Sequence, residues 1–353
     1  MTRDLLLSHY RRFPCLQAED IFKFLFQSAF GCEHLVTDEA AASDYIKREY
    51  SAASKDASPF TDELDGEYSR VYLSWLNTGL SPETLARLFC LSAKTETDGK
   101  EKLTGKIDIA REMVSSGELP LDCAEFENKL LEWQGRGYPA IHHSDVFRNT
   151  YNPAYRVIAD RFADFLPVFA EIDKRLSAGT VIAAIEGGSA SGKSTLSEAL
   201  SAVYDCNIFH ADDFFLRPEQ RTPERFREIG GNFDRERFYD EIIASLKKNE
   251  AVSYRPFDCS SQTLGECITV PSSRLTIVEG VYSTHPYFGK YYDFSVFLDI
   301  DPEFQKKRIE KRNSPALAKR FFEEWIPLEN TYFKKTEIMS RADLVIPVRE
   351  KNR

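Results

Sequence analysis

The sequence predicts two regions of different class: a mainly α-helical N-terminal domain over residues 1–150, and an α/β domain over 151–353 with a mostly parallel sheet covered by helices on both faces. Three observations carry this. Through the first 150 residues apolar side chains recur at helical spacing between polar turns. Beyond residue 180 short apolar runs of β composition alternate with helical stretches. A glycine-rich segment joins the first of those runs to the helix after it.

Taken in order, Glu19 to Phe30 places apolar residues on one helical face and stops at Gly31. Ser81-Pro-Glu-Thr84 reads as a helix start, with an N-cap serine, proline at the first helical position and early negative charge. Leu85 to Cys90 supplies its apolar face, and Glu125 to Trp133 is a further amphipathic stretch closed by Gly135 and Gly137. A leading helix is expected over 151–177, amphipathic from Tyr155 to Leu176 and broken by Gly179 before the α/β core at 180–348. In that core the expected strands are Val181 to Ile185, Cys206 to His210, Leu275 to Glu279, Phe294 to Leu298 and Ala342 to Pro347. Helices are expected over Arg235 to Lys248, Pro302 to Arg312 and about Ala316 to Ser340. Ligands of such a sheet sit beyond the C-terminal ends of its strands.

Bulk properties narrow the function classes. A chain of 353 residues fits two domains, and 42% hydrophobic with 29% charged residues is ordinary globular composition. A net charge of −10 argues against a general nucleic-acid binder, which needs a basic face, although a local basic cluster lies near residue 306. The seven cysteines are dispersed with no Cys-x-x-Cys pair, which reads as reduced thiols rather than a disulfide frame or zinc site. The N-terminus lacks the apolar run of a signal peptide, and no segment has the apolar length of a membrane span. The expectation is a soluble cytoplasmic protein that needs no nucleic acid or membrane partner, with a homo-oligomer left open.

The glycine-rich segment is Gly187-Gly188-Ser189-Ala190-Ser191-Gly192-Lys193-Ser194-Thr195, a complete phosphate-binding loop, so the sheet is expected to be of the P-loop NTPase type. Gly187 and Gly192 let backbone N–H groups turn toward an anion, and the helix N-terminus behind them adds partial positive charge. Lys193 would reach the β- and γ-phosphates of ATP, and the Ser194 hydroxyl would be a Mg²⁺ ligand. No Asn/Thr-Lys-x-Asp segment is present to read guanine, which argues against a GTPase switch.

Three more clusters should meet the loop at the sheet edge. His210-Ala-Asp-Asp-Phe-Phe215 puts carboxylates just after the second core strand. Asp212 is the candidate base for phosphoryl transfer to a hydroxyl, a solvated turn or helix cap being the alternative for it and more so for Asp213. Glu279 ends a buried apolar strand, where a carboxylate is expected to be paired or near a metal, so it joins Ser194 as a candidate Mg²⁺ or substrate contact; an ordinary loop-capping carboxylate is the alternative. Arg308 and Arg312 share a helical face and would stabilise charge on the transferring phosphoryl group, whereas Lys306, Lys307 and Lys311 solvate the helix.

The order of these motifs resembles the uridine kinase, phosphoribulokinase and nicotinamide riboside kinase family of P-loop kinases, over roughly residues 180–348. The resemblance implies that Asp212, first in Asp212-Asp-Phe-Phe215, is the catalytic base. It makes Asp234, in Asn232-Phe-Asp-Arg235, a contact for substrate hydroxyls, and sets Phe257 and Asp258 of Tyr254-Arg-Pro-Phe-Asp258 on the substrate side. Glu279-Gly280 matches the family's strand end, with Tyr282 close behind it, and the lid arginines fall near Arg308 and Arg312. Where uridine kinases carry the His and Arg that read the pyrimidine, this chain has Gln262 and Leu264, so a uridine-specific site is not implied. The connection between Asn313 and Lys319 is also short for a lid.

The expected function is an ATP- and Mg²⁺-dependent kinase acting on a hydroxyl of a nucleoside-, sugar- or vitamin-like metabolite. The alternative is a nucleotide-gated regulatory ATPase signalling through the helical half. In that half, Glu33 and His34 after the first long helix, and His142, His143 and Asp145 ahead of Arg156, could form a second site or a lid presenting His143 or Arg156 to substrate, or else helix caps and an interdomain hinge.

Overall fold

The computed structural model describes residues 2–32, 38–52, 56–64, 67–93 and 99–350; Glu33 and His34 lie outside them. The chain divides into two compact units, essentially 1–173 and 174–351.

The first unit is mainly helical, as its periodicity predicts. Its helices include Thr2–Arg12, Ala18–Phe30, Pro82–Ser92, Gly99–Ser115 and Cys123–Gly135. Ser81 caps its helix by accepting the Thr84 N–H at 3.0 Å, with proline following, and Gly31 ends Ala18–Phe30 at φ 62°. The expected helix over 151–177 is corrected. Tyr151 ends the helix Asp145–Tyr151, Tyr155–Ala159 is a strand, and helix resumes at Asp160–Ala163 and Leu166–Leu176. The strand is β3 of an antiparallel sheet whose other members are β1 (Thr61–Glu63) and β2 (Tyr68–Tyr72), in the order β1-β2-β3. Tyr155-Arg-Val-Ile is a short run rich in β-formers, and periodicity alone does not separate such a run from a helix segment. Its pairing, Tyr155 with Tyr72 through Ala159 with Tyr68, commits it to the first unit, so the division falls after Asp173 rather than after residue 150.

Buried polar groups link these elements. Asp20 takes the Ser144 N–H and hydroxyl at 3.0 and 2.7 Å and the His143 Nδ1 at 2.8 Å. The other His143 nitrogen lies 2.7 Å from the Tyr155 hydroxyl. Burial pushes His143 down to about 3, so the neutral ring donates to Asp20. Arg70, fully buried on β2, donates to Gln27 at 2.8 Å and meets His9 at 3.2 Å, while His9 pairs with Asp62 at 3.0 Å.

The second unit holds the expected α/β core. Its strands are β4 (Val181–Gly187), β5 (Asn207–His210), the short β6 to β9 (Val252–Tyr254, Phe257–Asp258, Thr263–Leu264, Ile268–Val270), β10 (Leu275–Glu279), β11 (Phe294–Ile300) and β12 (Leu344–Val348). Five of them form one all-parallel sheet in the order β12-β11-β4-β10-β5, flanked by helices. All of β10 is buried, and so is β4 apart from Ile182, as strands covered on both faces must be. β4 sits at the centre and the chain leaves it for the edge strand β5, so a crevice opens at its C-terminal end. Sequence patterning missed β6 to β9, which form two small antiparallel pairs, β6 with β9 and β7 with β8. Helix Pro302–Arg312 stands as expected. The other two expected helices are interrupted by π-helical stretches at Tyr239–Ile243 and Phe321–Trp325, and Glu337, at φ 53°, ends the last long one at Thr336.

Candidate active site

The segment after β4 folds as a phosphate loop ought to. Gly187 sits at φ 147°, and a Cβ there would lie 2.8 Å from the Leu298 carbonyl oxygen, so only glycine fits. Gly192, at φ 103°, is the N-cap of helix Lys193–Val203. Lys193 is buried and folds back across the loop, donating to the Gly187 and Gly188 carbonyls at 2.9 and 3.0 Å. Ser191 is buried, and its hydroxyl has no hydrogen-bond partner among the described residues.

Three side chains from later helices hold the loop in place. Gln305 donates to the Ser189 carbonyl at 2.7 Å, and Arg308 to that of Ala190 at 3.0 Å. Glu329 accepts the Ser189 N–H at 2.9 Å and also its hydroxyl. Burial raises the Glu329 carboxyl above the usual range, against the pull of these bonds.

The ends of β10 and β5 bring the acidic residues in. Glu279 is buried, and its Oε1 accepts from the Ser194 hydroxyl at 3.2 Å and lies 2.6 Å from His210 Nδ1. That bond raises His210, since a carboxylate partner favours the protonated ring. Asp212 follows β5 directly and opens onto the cavity. Its carboxyl is raised by the protein around it, an effect that Lys193 opposes and Glu279 reinforces. Asp213 lies beside it, and Arg237 holds the Asp213 carbonyl at 2.9 Å. A hydroxyl and a carboxylate oxygen side by side are the hard donors Mg²⁺ prefers, so Ser194 and Glu279 fit that ion. Among the described residues no cluster of three or more His, Cys, Asp or Glu side chains is arranged for a metal.

These groups face one cavity of about 1480 Å³. Ser189, Ala190, Gly192 to Thr195, Asp212, Glu279, Tyr282, Arg308 and Arg312 all line it. Lys311, expected only to solvate its helix, lines it too, as do Arg221 and Arg320, which sequence reasoning passed over. A smaller cavity of about 400 Å³ lies at the opposite ends of the strands, next to Val181 and Asn207.

The remaining candidates are placed differently. Asp234 is buried and caps helix Arg235–Phe238, accepting the Arg237 N–H at 3.3 Å with the Arg237 guanidinium 3.5 Å away. Phe257 is buried in β7. Asp258 is engaged by the turn after it. Its oxygens take the Ser260 hydroxyl and N–H at 2.7 and 2.8 Å and the Ser261 hydroxyl at 2.9 Å, which lower it to about 2. Neither Phe257 nor Asp258 lines the cavity, whereas Cys259 and Gln262 of the same hairpin do. Tyr282 is buried at φ 78° and stacks on Phe233 at 5.6 Å, its backbone N–H donating to Glu186 at 3.1 Å. A bulky residue in that backbone region is held there by its surroundings.

Glu186 escaped the sequence reading. It is a buried carboxyl one residue before Gly187, bonded by the N–H groups of Gly187, Tyr282 and Thr284, the Thr284 hydroxyl and the Tyr332 hydroxyl at 3.0–3.2 Å. Burial pushes it up to about 7. A lone acid inside the apolar run Val181 to Gly187 was the available signal.

No family model matches the sequence, and no curated protein matches it. Among solved structures, a possible uridine kinase from Bacillus stearothermophilus is 22% identical with a TM-score of 0.38, over 50% of this chain and 99% of that one. A provisionally assigned fructose transport system kinase from Silicibacter sp. TM1040 is 21% identical with a TM-score of 0.38, over 47% of this chain and 89% of that one. The second unit has the fold of a P-loop nucleotide-binding protein, with a central strand, glycine loop and helix in a parallel sheet. No described helix is long and apolar enough to cross a membrane.

Proposed function

We propose that the chain is an ATP-dependent small-molecule kinase that phosphorylates a hydroxyl of a metabolite. One observation carries the reading: Lys193 and Ser194 of the loop, Glu279 and Asp212 border a single cavity at the C-terminal edge of the sheet. Glu279 beside Ser194 serves a metal, which leaves Asp212 as a second carboxylate on the same space, where an acceptor hydroxyl would need a base.

In this reading the loop and Lys193 hold the β- and γ-phosphates. Asp212 orients the acceptor hydroxyl and takes its proton as the oxygen attacks the γ-phosphorus and the bond to the bridging oxygen of ADP breaks. A raised carboxyl is still a competent base here, because a loose transition state asks little of it until late. Arg308 and Arg312 neutralise charge on the transferring group. Ser194 and Glu279 would hold Mg²⁺, which when bound would supply charge neutralisation for the phosphates.

The acceptor is not expected to be a pyrimidine read by Gln262. That side chain lines the cavity, but its amide nitrogen is engaged by the Cys259 carbonyl. The test is ADP formation from ATP and Mg²⁺ across a panel of nucleosides, sugars, vitamins and polyols. Stimulation by one of them, lost in Asp212→Asn while ATP still binds, supports the kinase. Turnover that no small molecule stimulates overturns it.

A further inference from the structure

The phosphate loop of this chain is already in contact with an anion. Backbone N–H groups and a serine hydroxyl are what a P-loop offers to phosphate oxygens. Here the Ser189 N–H and hydroxyl are both taken by the carboxylate of Glu329. This is not a rim contact: Glu329 is 5% exposed, its Oε2 would stand 3.5 Å from a Cβ on Gly188, and it lines the same cavity as Ser189 and Lys193.

The helix that carries it, Ile326–Thr336, is tied at a second point, where the Tyr332 hydroxyl reaches Glu186 at 3.0 Å beneath the loop. Trp325, Pro327, Leu328 and Thr331, in and just before that helix, form cavity wall as well. The π-helical stretch Phe321–Trp325 leads straight into it, a local irregularity of the kind often found at working sites. Lys193 attracts the Glu329 charge, and Asp212 repels it.

We propose that Glu329 competes with the nucleotide for the Ser189 donors and so sets how tightly the loop holds phosphate. The proposal rests on reading Gly187–Thr195 as a nucleotide loop. A phosphate entering the cradle meets a carboxylate on the donors it would use, and the two anions share one positive environment. Binding therefore requires the Ser189 groups to change partner or the charges to be tolerated side by side. In either case the glutamate charge weakens binding. Gln305 and Arg308, which hold loop carbonyls, keep the loop shaped while Ser189 changes partner.

The experiment is calorimetric titration of the full chain with ADP and Mg²⁺. Glu329→Gln keeps an oxygen that can accept from Ser189 but removes the charge, and it is expected to bind ADP at least about fivefold more tightly, roughly the effect of one like charge at close range even when fully screened by solvent. Glu329→Asp draws the carboxylate back by one methylene and is expected to give a smaller gain; it also carries the test should the glutamine variant fail to fold. In a Ser189→Ala background the gain should shrink, because half of the contested contact is gone.

A residue that only braces the loop would give the opposite result, equal or weaker ADP binding in folded Glu329→Gln, and that result overturns the proposal while leaving the nucleotide reading intact. If neither wild type nor variant binds ADP or ATP, the nucleotide reading falls and this proposal with it. If only the variant binds, both stand.

Discussion

In the first unit the buried carboxylate of Asp20 is surrounded by Ser144 and His143, and fully buried Arg70 ends on Gln27 and His9. In the second unit Glu279 and Glu329 are buried too, but they border a cavity of about 1480 Å³ together with the exposed Asp212, Lys193 and two helix arginines. Both units bury charge, at a cost that only partners can offset. In the first, those partners are other side chains of one network, running from Asp20 through His143, Tyr155 and Gln27 to Arg70, His9 and Asp62. In the second, part of the partnership faces open space. A buried polar network thus points to chemistry when its members share a cavity, and to fold specification when they close on one another. In that network the neutral His143 ring lies between Asp20 and Tyr155.

The contrast can be broken by mutation. The largest expected effect is at Asp212. Asp212→Asn should lower kcat by about 10²- to 10⁴-fold, the usual range for losing a general base, with ATP affinity within about twofold of wild type. Steady-state kinetics beside equilibrium binding checks this, and near-normal turnover would remove Asp212 from the reaction.

In the first unit Arg70→Met should act on stability and leave nucleotide affinity alone. Removing one member of a buried charged set costs about 3–5 kcal/mol, and urea unfolding with ADP titration reads both sides. A loss of ADP binding in the folded variant would mean that the first unit's network serves the site after all.

Glu186 sharpens the comparison through pH. Its folded value near 7 lies above the usual value of 4.5, so between those values the folded chain binds more protons than the unfolded one. The associated stability is present below 4.5 and is lost as pH rises through 7, on the order of 3 kcal/mol. Glu186→Gln should flatten that part of the stability-against-pH curve; an unchanged slope would show that Glu186 is ionised throughout. The smallest effect is at a cap: Ser81→Ala should cost about 1 kcal/mol in the same unfolding measurement, with catalysis untouched.

Much of the second unit was legible in the sequence, because its signals are local. Apolar runs of strand length, a glycine loop between strand and helix, and Asp212 and Glu279 at strand ends all follow from neighbours in the chain. Arg308 and Arg312, four residues apart, share a helical face for the same reason, and both reach the cavity. What escaped is non-local. Tyr155–Ala159 became a strand through β2, which lies more than 80 residues earlier. The family resemblance places Asp258 on the substrate side, but Ser260 and Ser261 take its oxygens into a turn. Glu186 and Glu329 acquire their places only when the loops after β4 and β10 meet the helix Ile326–Thr336.

The sequence by itself therefore determined the parallel sheet, the phosphate loop and the residues at the strand ends, since these depend on periodicity, glycine conformation and chain order. Only the tertiary structure decided which carboxylates touch the loop, which face the cavity and which vanish into caps and turns. Those outcomes depend on burial and on hydrogen-bond partners from distant parts of the chain, and both exist only once the fold has closed.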